Sequence, residues 1–358
     1  MTETKMLLEE MMLIAAPSCY ETAMTNFIFD KIKNIADEIE IDKIGNLIAS
    51  VKGRNSNAKK IMISAHMDQL GLIVRRIDDS GYIQVERLGG IPERLLPGTA
   101  FIILTEKGPV PAVCGVKSHH ITLAHEKYEV KSYLEMYLDI GARSKEESIE
   151  FGIEVGNPIV YKPSVTILKN NRISGTTIDN RASCAIMVKL FEIFSSERPE
   201  SDIYIVGSVK EELNLKGASL AARKISPDIS ICLDGFIAAD TPDSYARTDV
   251  YLGKGPVLSM YNFHGRSTLN GLIPDRELSG LIKKTAKQSN IPLQLGALIG
   301  IVTESSYTQL EGLGIKTADI AFPLRYSHSA VETCDYSDLE NLYRLIYELI
   351  KNPQINSL

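Results

Sequence analysis

The sequence predicts an α/β protein, a mixed and largely parallel sheet flanked by helices, with a small β-rich domain inserted into it. Three observations carry that expectation. From about residue 164 onward, helical patterns alternate with short apolar runs, the rhythm of strand–helix–strand units that build parallel sheets. Far ahead of them, Ile61-Met62-Ile63-Ser64-Ala65 has the same buried, apolar character. Between the two, residues 69–163 change texture to short β-rich runs broken by turn signals such as Asp78-Asp79-Ser80-Gly81, Leu88-Gly89-Gly90 and Glu106-Lys107-Gly108-Pro109. The simplest organisation is one domain made of residues 1–68 plus 164–358, interrupted by a β-rich domain over 69–163.

The elements follow in order. Residues 5–15 place apolar side chains at helical spacing, and Pro17-Ser18 with Glu21 resembles a helix stop and a capping box that opens a helix over 21–36. Residues 38–42 alternate, and Leu47 to Val51 forms a short apolar run after the Gly45-Asn46 turn signal. The strand 61–65 ends at His66. After the insertion come a helix over 181–196, a strand over 202–209, a helix over 217–223, a strand over 229–233, a helix over 276–289, a strand over 317–321 and a helix over 337–351.

Composition excludes several classes. At 358 residues, 44% hydrophobic and 23% charged, the chain can bury a substantial core. A net charge of -6 lacks the basic excess that phosphate backbones require, so nucleic acid is not an expected partner. Cys19, Cys114, Cys184, Cys232 and Cys334 are scattered and odd in number, which points to reduced thiols rather than a disulfide framework or a thiolate metal site. No window approaches the roughly 20 apolar residues of a membrane helix. The apolar stretch Met11 to Ala16 follows Glu9-Glu10 and is too short for a signal core, so a cytoplasmic protein is expected.

Ligands gather at the carboxyl ends of strands in open α/β sheets. The polar residues at those ends are therefore the candidates. After 61–65 come His66 and Asp68; after 202–209, Glu211 and Glu212; after 229–233, Asp234; after the strand near 318–323, Tyr326 and His328. Asp179 opens the helix that starts near Arg181. Singly, each has an ordinary explanation: a structural histidine, acids at the positive end of a helix, an N-cap. Jointly, they form a nitrogen and oxygen donor set without sulfur, suited to Zn, Mn or Co.

Five separated stretches carry a family resemblance: Ser64-Ala65-His66-Met67-Asp68-Gln69-Leu70-Gly71, Ile178-Asp179-Asn180-Arg181, Val209-Lys210-Glu211-Glu212 with Gly217-Ala218, Leu233-Asp234, and Pro323-Leu324-Arg325-Tyr326-Ser327-His328-Ser329. In this order they resemble the M42 family of co-catalytic metallo-aminopeptidases, with its zinc-exopeptidase-like fold. The resemblance implies two divalent metal ions per chain. His66 and Asp234 would bind one, Glu212 and His328 the other, Asp179 would bridge them, and Glu211 would be the general base acting on a metal-bridging hydroxide. Asp68 would accept the second imidazole proton of His66 and fix which nitrogen faces the metal. The resemblance also implies short peptide substrates, trimmed from the N-terminus, and homo-oligomers from dimer to dodecamer held through the inserted domain.

Arg325 and Tyr326 are candidates for substrate contact, and His264, in Asn262-Phe263-His264-Gly265-Arg266, for a contact from a loop that reaches the cleft. The sequence departs from the family's commonest pattern at Gln69, Lys210, Asn214 and Gly300 to Ser306, and this last segment, with Thr303 to Ser306 its altered part, is expected to border the substrate cleft. His119, His120 and His125 do not share one helical face and are read as structural or surface residues. Two other functions stand beside the peptidase: a glycosidase of endoglucanase type using a carboxylate pair, and a non-catalytic peptide-binding scaffold.

Overall fold

The computed structural model describes residues 2–244, 246–265 and 270–358. Its main body is a nine-stranded sheet. Eight strands run in the order Glu38–Ile41, Leu47–Val51, Asp202–Ser208, Lys60–His66, Ile229–Ile237, Lys316–Leu324, Val257–Phe263, Gly271–Leu272, and Gln294–Ile299 pairs alongside Val257–Phe263. The four central strands are parallel, with Ser208 level with His66 and Cys232 level with Ser64. The mixed, largely parallel sheet expected from the sequence is therefore present.

Side chains alternate across a strand, and that period of two sets what each face meets. Ile61, Ile63, Ile203, Ile205, Ile229 and Ile231 face the helix Ile178–Ser196, which packs in turn on Tyr336–Lys351, and join the largest apolar core. Met62, Tyr204 and Val206 face the other way, onto Ala221, Ala222 and Ile225 of the helix Gly217–Ile225. His66, Ser208 and Asp234 continue this second register, so one side of the sheet collects them at its carboxyl edge. Polar residues placed at the ends of apolar strands in this way take nothing from the core.

The insertion forms a closed barrel of six strands, in the order Gly71–Ile77, Ile83–Leu88, Leu138–Asp139, Gly108–Cys114, Ala100–Thr105, Pro158–Tyr161. It encloses its own core, including Val74, Val85, Phe101, Ile103 and Ile159. A third sheet pairs Val165–Ile167, Arg172–Gly175 and Glu332–Asp335. All five cysteines are free, in line with their scattered spacing.

Two expectations need correcting. The helix Thr22–Ile32 ends four residues short of Ala36, and Glu21 makes no side-chain cap bond to it. Ser18 and Glu21 serve the loops around the site instead. The strands Val257–Phe263, Gly271–Leu272 and Gln294–Ile299 have no counterpart among the elements expected from the sequence, because Ser259, Asn262 and Gly296 break the apolar run that a buried strand ordinarily shows. Asn262 is nevertheless buried, donating to the Asp319 carboxylate of the neighbouring strand at 2.7 Å.

Candidate active site

The carboxyl edge of the sheet brings together residues from five separate stretches. His66 closes its strand, 2% exposed. Its Nε2 lies 3.2 Å from Asp179 Oδ1, 3.8 Å from Asp234 Oδ1 and 4.0 Å from Glu211 Oε2. On the far side of Asp179, His328 Nε2 lies 3.8 Å from Glu212 Oε2. Among the described residues two overlapping groups are each compact enough to hold a cation, His66 with Glu211 and Asp234 or His66 with Asp179 and Glu212; both use His66 and neither includes His328.

The two imidazoles are oriented alike. His66 Nδ1 is 3.2 Å from the Asp68 main-chain carbonyl and His328 Nδ1 is 3.2 Å from the Gly90 carbonyl. A carbonyl only accepts, so in each ring Nδ1 is the donor and Nε2 faces the acids. The resemblance assigns this role to the Asp68 carboxylate, and its Oδ1 also faces His66 Nδ1, at 3.6 Å, beside the peptide oxygen at 3.2 Å. The Asp68 side chain has a second duty.

That duty lies in the loop after Ser208. Four consecutive amides there have no helix or strand partner, and each finds a side chain. Val209 N donates to Asn46 Oδ1 at 3.0 Å, Lys210 N to Glu21 Oε1 at 2.9 Å, Glu211 N to Asp68 Oδ1 at 3.0 Å and Glu212 N to Asp68 Oδ2 at 3.1 Å. Ser18 Oγ also donates to Asp68 Oδ2. Buried amides left unpaired are costly, so these acceptors hold the loop in one shape. That shape presents Glu211 and Glu212 side by side.

Asp179 and His328 are joined from behind by Glu332, a residue that sequence reasoning does not single out. Its carboxylate accepts the Asp179 amide at 2.9 Å and the His328 amide at 2.7 Å. The signal available for it is slight, an acid four residues past His328 at the start of a strand. Asn180 Nδ2 donates to Leu233 O at 2.8 Å, tying this segment to the strand that bears Asp234. The fully buried Arg181 donates to Met67 O, to Ile14 O at 3.3 Å and to Gln69 Oε1 at 3.3 Å. Gln69 Oε1 also accepts the Ala16 amide at 3.0 Å, so this departure from the family pattern occupies a built position.

The electrostatics are unbalanced. Four carboxylates, Asp179, Glu211, Glu212 and Asp234, crowd two imidazoles. Burial, opposed by His66 but reinforced by Glu212 and Asp234, pushes Glu211 well above the usual carboxyl range. Burial also raises Glu212 to about 7, against the pull of His328. Burial disfavours a charged His66, but Glu211, Asp179 and Asp234 outweigh it and hold the ring well above its ordinary pKa. Such a cluster is short of positive charge. Oxygen and nitrogen donors without a thiolate, with both Nε2 atoms facing the acids, fit divalent Zn, Co or Mn.

The remaining candidates are placed differently. Arg325 forms a two-pronged pair with Asp240, Nε to Oδ1 at 2.6 Å and Nη2 to Oδ2 at 2.8 Å, so its guanidinium is already engaged. Tyr326 is 50% exposed. His264 follows the strand Val257–Phe263, its amide donating to Asn270 O at 3.0 Å, and Arg266 lies outside the described residues. Thr303, Glu304, Ser305 and Ser306 do not border the cleft: all four are buried beneath the site, where Thr303 Oγ1 donates to Asp319 at 2.7 Å and Ser208 Oγ to Glu304 at 2.7 Å. The opening beside Asp179, Glu212 and His328 is lined instead by Gln69, Leu70, Tyr161, Thr177, Ser329 and Glu332.

The profile of the M42 glutamyl aminopeptidase family matches residues 45–345. The chain belongs to this family. M42 relatives cover it almost completely. The lysyl aminopeptidase of Pyrococcus furiosus is 33% identical over 328 residues, 91% of this chain and 90% of that protein. An aminopeptidase from the archaeon Desulfurococcus kamchatkensis superposes with a TM-score of 0.91 at 32% identity, covering 98% of this chain and 95% of the other. The Pyrococcus horikoshii TET1 peptidase, which can assemble into a tetrahedron or a large octahedral shell, superposes with a TM-score of 0.86 at 30% identity, covering 98% and 99%. As an M42 member the protein is a hydrolase of the aminopeptidase class.

Proposed function

We propose that this M42 protein removes N-terminal residues from short peptides with the help of two divalent ions, Zn, Co or Mn, held by His66, Asp179, Glu212, Asp234 and His328. The observation that carries the reading is the convergence of these five side chains with Glu211 at one sheet edge, both imidazoles turning Nε2 toward the acids. When bound, such ions polarise the scissile carbonyl and make water acidic enough to react near neutral pH. Glu211 also stands within reach of a cation beside His66 and Asp234; in this reading Glu212 is the ligand and Glu211 takes the proton from water and delivers it to the departing amine nitrogen.

Residues 69–163 serve as the oligomerisation domain. The barrel strand Gly108–Cys114 exposes Val113, and the segment after it exposes Val116, Ile121, Leu123, Tyr128 and Val130, more apolar surface than a free barrel has reason to carry. A cytoplasmic homo-oligomer, dimer to dodecamer, is the matching assembly. Among the described residues no helix is long and apolar enough to cross a membrane.

A panel of aminoacyl chromogenic substrates, assayed after chelation and again with each metal restored, tests reaction class and cofactor together. Cleavage that is lost to the chelator and returns with Zn, Co or Mn is expected. Activity persisting after exhaustive chelation, or peptide binding without cleavage under every metal, would overturn the reading.

A further inference from the structure

We propose that Glu304 is a positioning residue that clamps the neck of the Val209–Gly217 loop and so determines where the Glu211 carboxylate stands. The inference rests on the reading of Glu211 as the proton carrier and adds a residue whose side chain lies beneath the site.

The loop is closed at its base. Asn46 spans the neck on one side, accepting the Val209 amide through Oδ1 and donating to Gly217 O through Nδ2, both at 3.0 Å. The approach is tight enough that a Cβ on Gly217 would stand 2.4 Å from Val209 O. Glu304 spans the neck on the other side. Its Oε2 accepts the Ser208 hydroxyl at 2.7 Å, on the last residue of the strand, and its Oε1 accepts the Ala218 amide at 3.3 Å, in the first turn of the helix Gly217–Ile225. Within the loop, Leu215 N donates to Glu211 O at 2.7 Å and Lys216 N to Lys210 O at 3.3 Å. A loop of this kind, with its ends joined and its interior self-bonded, moves as one body. Glu211 and Glu212 ride on it.

Asp68 and Glu21 hold the upper amides, while Glu304 connects the strand end to the helix start. It is 1% exposed, and burial pushes its carboxyl up to about 7 despite His66 and the Ser208 hydroxyl. An acid kept at such cost, with both oxygens committed to the two ends of one loop, is placed to hold geometry. Displacement of a catalytic group by about 1 Å can cost on the order of 100-fold in rate.

The test compares Glu304→Ala, Glu304→Gln and wild type by hydrogen exchange of the 209–217 amides and by steady-state kinetics on an aminoacyl substrate. The expected result for Glu304→Ala is faster exchange confined to this loop, a kcat lowered about 10- to 100-fold, and KM within about twofold because no substrate contact is removed. Glu304→Gln, which keeps one acceptor oxygen, should recover most of both. Wild-type exchange in the loop of Glu304→Ala, or faster exchange with unchanged kcat, overturns the proposal. Should Glu304→Ala fail to fold, Ser208→Ala removes a single hydroxyl from the same clamp and is read by the same two measurements. If wild type cleaves no peptide, the peptidase reading fails, while the exchange data still decide whether Glu304 clamps the loop.

Discussion

The Asp68 carboxylate accepts the Glu211 amide at 3.0 Å while its Oδ1 stands 3.6 Å from His66 Nδ1, so one acid faces both an imidazole and the loop that carries Glu211. Its other oxygen takes the next amide, Glu212, at 3.1 Å. Burial alone would raise the pKa of Asp68, but His66, Ser18 and the Glu211 amide outweigh it and keep it below the ordinary carboxyl value. It is therefore a fixed negative charge with two amides to hold.

Asp68→Asn should lower kcat about 10- to 100-fold while the protein stays folded, because an amide side chain has one acceptor where two backbone donors wait. Measuring kcat together with the melting temperature checks this. A fall in stability without a fall in kcat would show that the loop tolerates the loss.

Glu211→Gln should reduce turnover about 100- to 10,000-fold, the usual worth of a positioned acid or base, while metal content stays near that of wild type. Metal analysis after dialysis, beside rate measurements, distinguishes this from loss of a ligand. Retained activity on peptide substrates would remove Glu211 from its role.

Glu332→Gln leaves one oxygen for two amides, those of Asp179 and His328. Metal affinity is expected to weaken about 10- to 100-fold, as when other groups that orient ligands are altered. Titration of the metal-free protein with Zn, followed by calorimetry, gives the number directly.

Asp338 supplies a pH test away from the site. Burial pushes its carboxyl up to about 7, although the Gly253 and Gly255 amides, each at 2.7 Å, pull it down. A folded pKa above the unfolded value means that the stabilising contribution is complete below the unfolded value, near 4, and is lost as pH rises through about 7. Melting temperature should therefore drop across that window, and Asp338→Asn should flatten this part of the drop. An unchanged slope in the variant would assign the pH dependence to other groups.

Much of this is legible in the sequence because it depends on local periodicity and on which residues end a strand. Ile61–Ala65 followed by His66, and Leu233 followed by Asp234, announce both the parallel sheet and the edge where donors collect. What stays hidden is long-range pairing. Nothing near Glu332 shows that it will hold the amides of both Asp179 and His328, and nothing near Ser18 or Glu21 distinguishes a helix cap from a brace for residues about 50 and 190 positions away. The buried Thr303–Ser306 stretch misleads for the same reason: the family resemblance implies a cleft border, whereas Asp319 and Ser208 satisfy the stretch in the interior.

The hold of Gly90 on His328 has a mechanical corollary. This glycine follows a barrel strand, its carbonyl is the acceptor for His328 Nδ1, and a Cβ added there would stand 3.3 Å from the ring. The barrel residue Tyr161 reaches the same segment, its hydroxyl 3.5 Å from His328 O. A shift of the barrel against the sheet would therefore reach an imidazole directly, and a truncated enzyme lacking the insertion would leave that ring without a rest.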